Sequence, residues 1–513
     1  MGILNVQGES LQRVIAVLGS VAFLVQGYNQ SVMNGFTTLP SFLAAIPQVD
    51  TVNTTGAQEA HNSTILGLVV AIFELGSAIG ALSCLFIGDR LGRPKSMLVA
   101  GAICTVGVII QASTYSLAQI LVGRIVTGVG IGIYTGTVPM YVSEMSDSEK
   151  RGQLVLVEGV FALSGLAIAS WVNFGMYYTT GSVSWRFPLA LPLVFIAVIL
   201  SLTPWLPESP RYLIKKGRIE EATAIMARLM ALPGTDTEVA KEIALIQTAL
   251  NRDAGQPGKD SANPFSMDKN RHLHRLVIAA SGTMFTQMSG INVIAGYSTS
   301  IFEETLDYSG SDARIFSACL QVALALGALT AIFLVDRVGR RPLMLFSTGS
   351  MVLAQAAVSG LTSDLSKQAN GKAAVFFYFF AMYCLPIGMF IMPFMYGSEI
   401  APLSIRHIVA ATTAISSWLF NFMVAEVTPI ARDNIGWKYD IVYAATSAAG
   451  CVVIYLFYPE TRGRTLEEID EIFIQSNSIF DPVRVAKKLP MGYTASDNID
   501  AYAKEASSST EVA

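Results

Sequence analysis

The sequence predicts an all-α integral membrane protein of twelve transmembrane helices in two six-helix, pseudo-repeated bundles. Three observations carry this expectation. The 513-residue chain is 52% hydrophobic and only 14% charged, whereas soluble domains run near 25% charged. Its apolar residues gather in runs, among them 11–28, 63–88, 96–114, 186–204 and 439–458, each near the ~20 residues a helix needs to cross ~30 Å of hydrocarbon. Three short motifs also occur twice, in the same order, about half a chain apart.

In chain order, spans are expected at about 12–33, 63–87, 96–114, 118–141, 152–173, 186–204, 274–300, 313–335, 343–362, 373–398, 408–431 and 439–458. The first apolar run leads through a loop into the second, so it reads as span one rather than as a cleavable signal peptide. This divides the chain into an N-terminal bundle (1–204), a polar linker with short amphipathic helices (205–272), a C-terminal bundle (273–460) and a tail (461–513) expected to be disordered.

Lys and Arg set the expected orientation. Loop 88–95 carries Arg90, Arg93 and Lys95, loop 336–341 carries Arg337, Arg340 and Arg341, and the linker carries many more. The alternate loops 34–62, 173–184 and 301–312 carry almost none. Positive loops stay in the cytoplasm, so both termini and the linker are expected there, most naturally at the plasma membrane. Loop 34–62 then faces outside with two glycosylation sequons, at Asn53 and, close to the membrane, at Asn62.

The repeat is specific. Asp89-Arg90-Leu91-Gly92-Arg93 recurs as Asp336-Arg337-Val338-Gly339-Arg340, 247 residues on. Glu144 stands seven residues before Arg151, and Glu399 seven before Arg406, at an offset of 255. Pro207-Glu208-Ser209-Pro210-Arg211 is echoed by Pro459-Glu460-Thr461-Arg462, at an offset of 252. Like order at nearly one offset means duplication, and six spans per half make the repeats parallel.

These motifs resemble the sugar porter family of the major facilitator superfamily, over nearly the whole chain. The resemblance also includes Gly123-Arg124-Ile125-Val126-Thr127-Gly128, Gln287-Met288-Ser289-Gly290-Ile291-Asn292 and the Pro459–Glu468 stretch. The stretch around Arg151 to Gly159 is similar to fungal members, especially glycerol and polyol symporters. The resemblance implies the major facilitator fold, a substrate site between the halves near the midplane, and a monomer handling a small neutral sugar or polyol. The family pattern is only partly kept. Thr286 stands for one of two adjacent glutamines, Gly296 for one of two tyrosines, Gly159 for a glutamine and Phe394 for a tryptophan, which departs from ordinary glucose specificity.

The candidate site residues follow. In span one Gln26, Asn29, Gln30 and Asn34 share one helical face, and amides both donate to and accept from hydroxyls. Thr286, Gln287 and Asn292 lie on a glycine-broken span seven, and Trp418 and Asn421 lie three apart on span eleven. An acid inside a span is costly and usually functional or paired. Of three such acids, Glu158 is read as a substrate or proton group, while Glu74 and Glu426 are read as structural. Asp89, Arg90, Arg93, Glu144, Arg151, Asp336, Arg337, Arg340, Glu399 and Arg406 stand at helix ends of both halves. The resemblance implies that such groups pair between helices and across the halves as an inner gate. Proton-coupled members carry an aspartate in span one near the span-four arginine; here these positions are Asn29 and Arg124. Asn29 favours facilitated diffusion over proton symport, with Glu158 and Arg124 as the residual proton site.

Composition and motifs also limit the alternatives. A net charge of −4 offers no broad basic surface for nucleic acid. Cys84, Cys104, Cys319, Cys384 and Cys451 all lie in apolar stretches and read as small buried hydrophobes. No cofactor motif and no nucleophile–base set is present, so an enzyme is not expected. The glycine run Gly128, Gly130 and Gly132 sits in an apolar span and reads as helix packing rather than a nucleotide loop. A sugar sensor on a transporter scaffold, or an exporter of a fungal metabolite, is the competing function.

Overall fold

The computed structural model describes residues 6–146, 151–254, 265–267, 270–402, 405–464 and 466–490. Among the described residues it is helical without strands. Eleven helices among the described residues are long and apolar enough to cross a membrane. Span seven supplies the twelfth crossing in two pieces, His272–Gln287 and Ile291–Ser300. A chain in hydrocarbon must satisfy its own backbone groups, and helices do so within one segment.

The expected spans are all present, and most run longer than the apolar stretch that announced them. Span two is Ala57–Leu91, span eight Gly310–Val338 and span eleven Arg406–Ile435. Side-chain caps start two of the spans. Ser116 Oγ accepts from the Gln119 N–H at the start of span four, and Ser309 Oγ from Asp312 N–H at the start of span eight. Span ten, like seven, is two helices, Gln368–Gly388 and Met392–Ile400.

Within the N-terminal half, glycine sets how closely helices approach. A Cβ on Gly132 would lie 2.1 Å from the Ser77 carbonyl oxygen, and one on Gly80 2.1 Å from that of Val129. Spans two and four therefore touch backbone to backbone, the geometry small residues allow in membranes. Spans one and five meet the same way at Gly27, 1.8 Å from the Ala162 oxygen on the same test. The halves join along span two against span eleven and span five against span eight.

The linker helices Pro210–Lys215, Ile219–Met230 and Thr237–Ala254 share a small core of Leu213, Ala222 and Ile243. The tail corrects the expectation of disorder in part. Helix Leu466–Ile474 buries Ile469, Ile472 and Phe473, and Arg275 of span seven pairs with its Asp470. Apolar residues three and four apart make one helical stripe, which the polar average of this segment conceals. The final stretch, 491–513, lies outside the described residues.

The glycine contacts give the first prediction. Gly80→Val drives a side chain into a backbone carbonyl that has no room to yield, and overpacking of this kind costs about 1–3 kcal/mol or more. The variant is expected to melt lower and to be recovered in smaller monodisperse yield by fluorescence-detected size exclusion. Gly175→Ala, at a glycine with no atom within 4 Å of its would-be Cβ, is expected to match the parent.

Candidate substrate cavity

Between the halves lies a cavity lined by Gln30 of span one, Glu74 of span two, Asn292, Gly296 and Tyr297 of span seven, and Asn421 of span eleven. The break in span seven builds one wall. Gly290 takes φ 85° and starts the second helical piece, a conformation that favours glycine. The Asn292 amide donates to the Gln287 side-chain oxygen, and Gln287 Nε2 donates to Ser417 Oγ at 2.8 Å. The chain of amides thus runs from Asn292 to the turn of span eleven that precedes Asn421. Thr286 stands behind this wall, its hydroxyl 2.6 Å from the Met389 carbonyl at the break of span ten. It braces two broken helices against each other.

The expected site residues divide accordingly. Gln30, Asn292 and Asn421 line one space, with Gln287 bonded directly behind them. Gln26 is half-buried, and its Oε1 has no hydrogen-bond partner among the described residues. Asn29 turns away: its amide donates to the Val25 carbonyl of its own helix at 2.9 Å. Trp418 is buried and Phe394 is 41% exposed, and neither lines this cavity. Glu158 is buried nearer the linker end of span five, beside Gly19 and without a partner on Oε1 among the described residues.

Glu74 is the cavity residue that sequence reading assigned elsewhere. Span two turns Gly67 against the span-eleven backbone at Glu426. Glu74 lies seven residues on, two turns along the same face. That spacing from a packing glycine was the available signal. Beneath it Arg124, 1% exposed, donates to the carbonyls of Val69 (3.2 Å), Asn29 (3.0 Å) and Val70 (2.7 Å). Its guanidinium also lies 4.8 Å from the Phe73 ring centroid.

The cavity is shut at the end away from the linker. Asn34 Nδ2 reaches Ala295 O (3.2 Å), Ser298 Oγ (2.9 Å) and Ser317 Oγ (3.0 Å) of the opposite half, and its oxygen accepts the Thr299 N–H at 3.2 Å. Arg314 donates to Gly35 O (3.2 Å) and Thr38 Oγ1 (2.8 Å), and Ser63 bonds Asp433. At this same end Asn53 is exposed, while Asn62 is fully buried and gives its amide to Asp50 O at 2.6 Å. An amide held in that way is not open to a glycan in the folded chain.

At the linker end the duplicated motifs build one cluster twice. The Arg93 guanidinium pairs with Glu144 at 2.9 Å, the Arg93 backbone N–H donates to Glu208 at 2.9 Å, and Tyr141 donates to Pro207 O at 2.6 Å. In the second half Arg340 pairs with Glu399 at 3.1 Å, its N–H donates to Glu460 at 3.0 Å, and Tyr396 donates to Pro459 O at 2.9 Å. Each of these pairs lies within one half, whereas partners across the halves were also expected. Burial raises the Glu208 carboxyl above its ordinary value, against the lowering effect of the Arg93 and Ser209 N–H groups. Arg406 donates to Ala401 O at 3.2 Å, and Arg340 also reaches Asp336 at 3.2 Å. Arg90 and Arg337 are exposed. The side chains of Asp89 and Arg151 lie outside the described residues.

Comparison with known proteins agrees with this architecture. The family model described as "Sugar (and other) transporter" matches residues 14–473. The MFS-type transporter oryC of Aspergillus oryzae is 35% identical over 91% of this chain and 87% of its own. The sugar transporter STL1 of Saccharomyces cerevisiae is 34% identical over 94% of this chain and 85% of its own. Among solved structures, the proton:xylose symporter XylE of E. coli, bound to 6-bromo-6-deoxy-D-glucose, superposes with a TM-score of 0.75 at 23% identity. That alignment covers 91% of this chain and all of XylE, and it establishes the major facilitator fold.

The duplicated clusters give the second prediction. Each guanidinium is about nine-tenths enclosed, at 10% exposure for Arg93 and 13% for Arg340. Removing one leaves an enclosed glutamate without its partner, a loss of about 3–5 kcal/mol where burial is complete and less at this exposure. Arg93→Ala and Arg340→Ala are each expected to lower the melting temperature in detergent by several degrees. Arg337→Ala, at an exposed side chain, is expected to melt with the parent.

Proposed function

The chain belongs to the sugar transporter family, and on that footing we propose that it carries a small neutral sugar or polyol across the membrane by alternating access. The observation that carries the reading is the cavity between the halves. It offers Gln30, Asn292 and Asn421, with Gln287 behind them, and side-chain amides match hydroxyls whichever way the hydroxyl hydrogen points. Tyr297 and the open face of Gly296 supply less polar wall, suited to the C–H side of a sugar. Lys and Arg at the linker end support a cytoplasmic position for that end, beneath the plasma membrane. In that orientation the Asn34 seal faces outside and the conformation described is closed to the exterior.

Transport then consists of breaking the Asn34 and Arg314 contacts, opening the cavity outward, and closing the linker end around the same site. Facilitated diffusion, which Asn29 favours, and proton-coupled uptake differ in one requirement. Coupled uptake needs a group that binds and releases a proton during the cycle, and an amide cannot.

Uptake of radiolabelled hexoses, pentoses, disaccharides, glycerol, sorbitol and sugar acids into transporter-null yeast expressing the chain tests the reading. At least one neutral compound is expected to enter saturably. For that compound Gln287→Ala and Asn292→Ala are expected to raise the half-saturating concentration about tenfold, the equivalent of about 1.4 kcal/mol for a lost hydrogen bond in a sheltered site. No uptake from the panel, or unchanged kinetics in both variants, counts against it. Orientation is checked separately with a cysteine at Gly234 in the linker. Labelling by an impermeant maleimide is expected only after permeabilisation, and labelling of intact cells reverses the assignment.

A further inference from the structure

The N-terminal half holds a carboxylate whose surroundings differ from those of every other acid considered above. Glu74 is 4% exposed, lines the cavity, and has no hydrogen-bond partner on Oε2 among the described residues. Glu144 and Glu399 are clamped by direct ion pairs to Arg93 and Arg340. Glu158 makes no ion pair among the described residues. Glu74 has one, Arg124, but it is not clamped by it. The guanidinium spends its donors on the carbonyls of Val69, Val70 and Asn29, and the two side chains make no direct ion pair among the described residues. Arg124 therefore needs no bond from Glu74 to remain a satisfied cation. Glu74 is free to be ionised beside a positive charge or neutral in a shielded cavity.

The elements packed around Glu74 supply few other charges. Span four presents Arg124, and span one presents the amide of Gln30, the Asn29 amide being turned onto the Val25 carbonyl. Span eleven presents Asn421 and, five residues further along, Glu426. Span seven presents Asn292 and Tyr297, whose hydroxyl is engaged with Ala425 O at 2.8 Å. Asn421 belongs to the opposite half and is the polar neighbour of the carboxylate. An ionised Glu74 accepts from the Asn421 amide, and a protonated one donates to its oxygen. One proton thus reverses the polarity of a contact between the two halves, in the same cavity that offers amides to the substrate.

We propose that Glu74 is the proton-binding group of a coupled transport cycle, with Arg124 as its fixed counter-charge and Asn421 as its contact in the opposite half. The inference rests on the carrier reading above. Opened outward, the site takes a proton from external water onto a Glu74 oxygen together with the sugar. Opened inward, it returns both to the cytoplasm, and the ionised carboxylate again faces Arg124. One O–H bond forms and the same bond breaks, so each cycle moves one proton and one neutral substrate. The coupling carboxylate stands on span two rather than at position 29, so Asn29 does not by itself make the chain a passive carrier.

Purified full-length protein in phosphatidylcholine–phosphatidylethanolamine liposomes tests this, with D-[14C]glucose and D-[14C]sorbitol as probes. Potassium and valinomycin hold the membrane potential at zero, and the interior is made one pH unit more alkaline. One proton per substrate sets a ceiling of tenfold accumulation, since tenfold corresponds to one pH unit. A probe is expected to accumulate several-fold, and a protonophore is expected to return the ratio to one. The steady-state ratio does not depend on rate, so slow variants remain readable. Glu74→Gln is expected to equilibrate the probe without accumulating it, and Glu74→Asp to accumulate it. In the parent protein, dicyclohexylcarbodiimide is expected to modify Glu74 more at pH 6 than at pH 8, read by peptide mass spectrometry. Equilibration without accumulation by the parent overturns the proton inference and leaves the carrier standing. Accumulation by Glu74→Gln equal to the parent's, or no carbodiimide adduct on Glu74, overturns the assignment to this residue. Entry of neither probe overturns the inference, and only together with no uptake from the wider panel does it overturn the carrier reading as well.

Discussion

A guanidinium in the middle of a membrane-spanning helix has to be supplied with acceptors by its own protein, and Arg124 is the group around which the N-terminal half is arranged. It takes two carbonyls from span two and one from span one. A carbonyl has two lone pairs, so each of these can serve the guanidinium as well as its own helix. The arrangement demands that spans one, two and four lie very close, and the glycines at 80 and 132 are what allow the approach. Cation and packing glycines make one requirement. The three helices are thereby locked into a block, and a block of this kind can rock as a unit instead of deforming.

The linker end shows the same principle built twice. Gly92 and Gly339 take positive φ, 83° and 105°, and turn the N–H groups of Arg93 and Arg340 onto Glu208 and Glu460. A Cβ at either glycine would collide with that carboxylate, at 2.1 and 2.8 Å. The following guanidinium then reaches back to Glu144 or Glu399. Each cluster ties the end of one bundle to the segment that leaves it, the linker in the first half and the tail in the second. These charges hold each half to itself.

Much of this was legible in the sequence. Span number, the parallel repeat and the family motifs followed from run lengths and identical letters, because hydrocarbon thickness and duplication act on sequence directly. Gln30 was legible because an amide in an apolar span needs a partner or a ligand, and Asn292 because it falls in the family motif of span seven; both line the cavity, as does Asn421. Glu74 was read as structural because its role depends on which helix faces span two, and no local pattern states that. The same holds for Glu158: an acid inside a span is visible in sequence, but the direction in which it points, here beside Gly19 rather than into the cavity lining, is not. The helix Leu466–Ile474 was missed because its stripe of apolar residues is short and lies in a polar segment.

The two kinds of contact differ in strength, and the difference suits a moving part. Within each half lie an enclosed cation on three carbonyls, ion pairs and carbonyl-to-glycine packing. Between the halves the seal consists of the neutral Asn34 bonds to Ala295, Ser298 and Ser317 and of hydrogen bonds with one charged partner, Arg314 to Gly35 and Thr38 and Ser63 to Asp433, with no ion pair across it among the described residues. Neutral hydrogen bonds contribute about 0.5–1.5 kcal/mol each when water is the alternative partner, and water becomes that alternative once the seal opens. A few such bonds total a few kcal/mol, the difference at which two packings remain exchangeable. Were the seal built from enclosed ion pairs, opening it would strand charges, and the closed state would dominate. Strong contacts inside the halves and weaker ones between them suit two rigid halves to the alternating-access cycle proposed above, in which the free energy that separates the two packings is of the size a small ligand can supply.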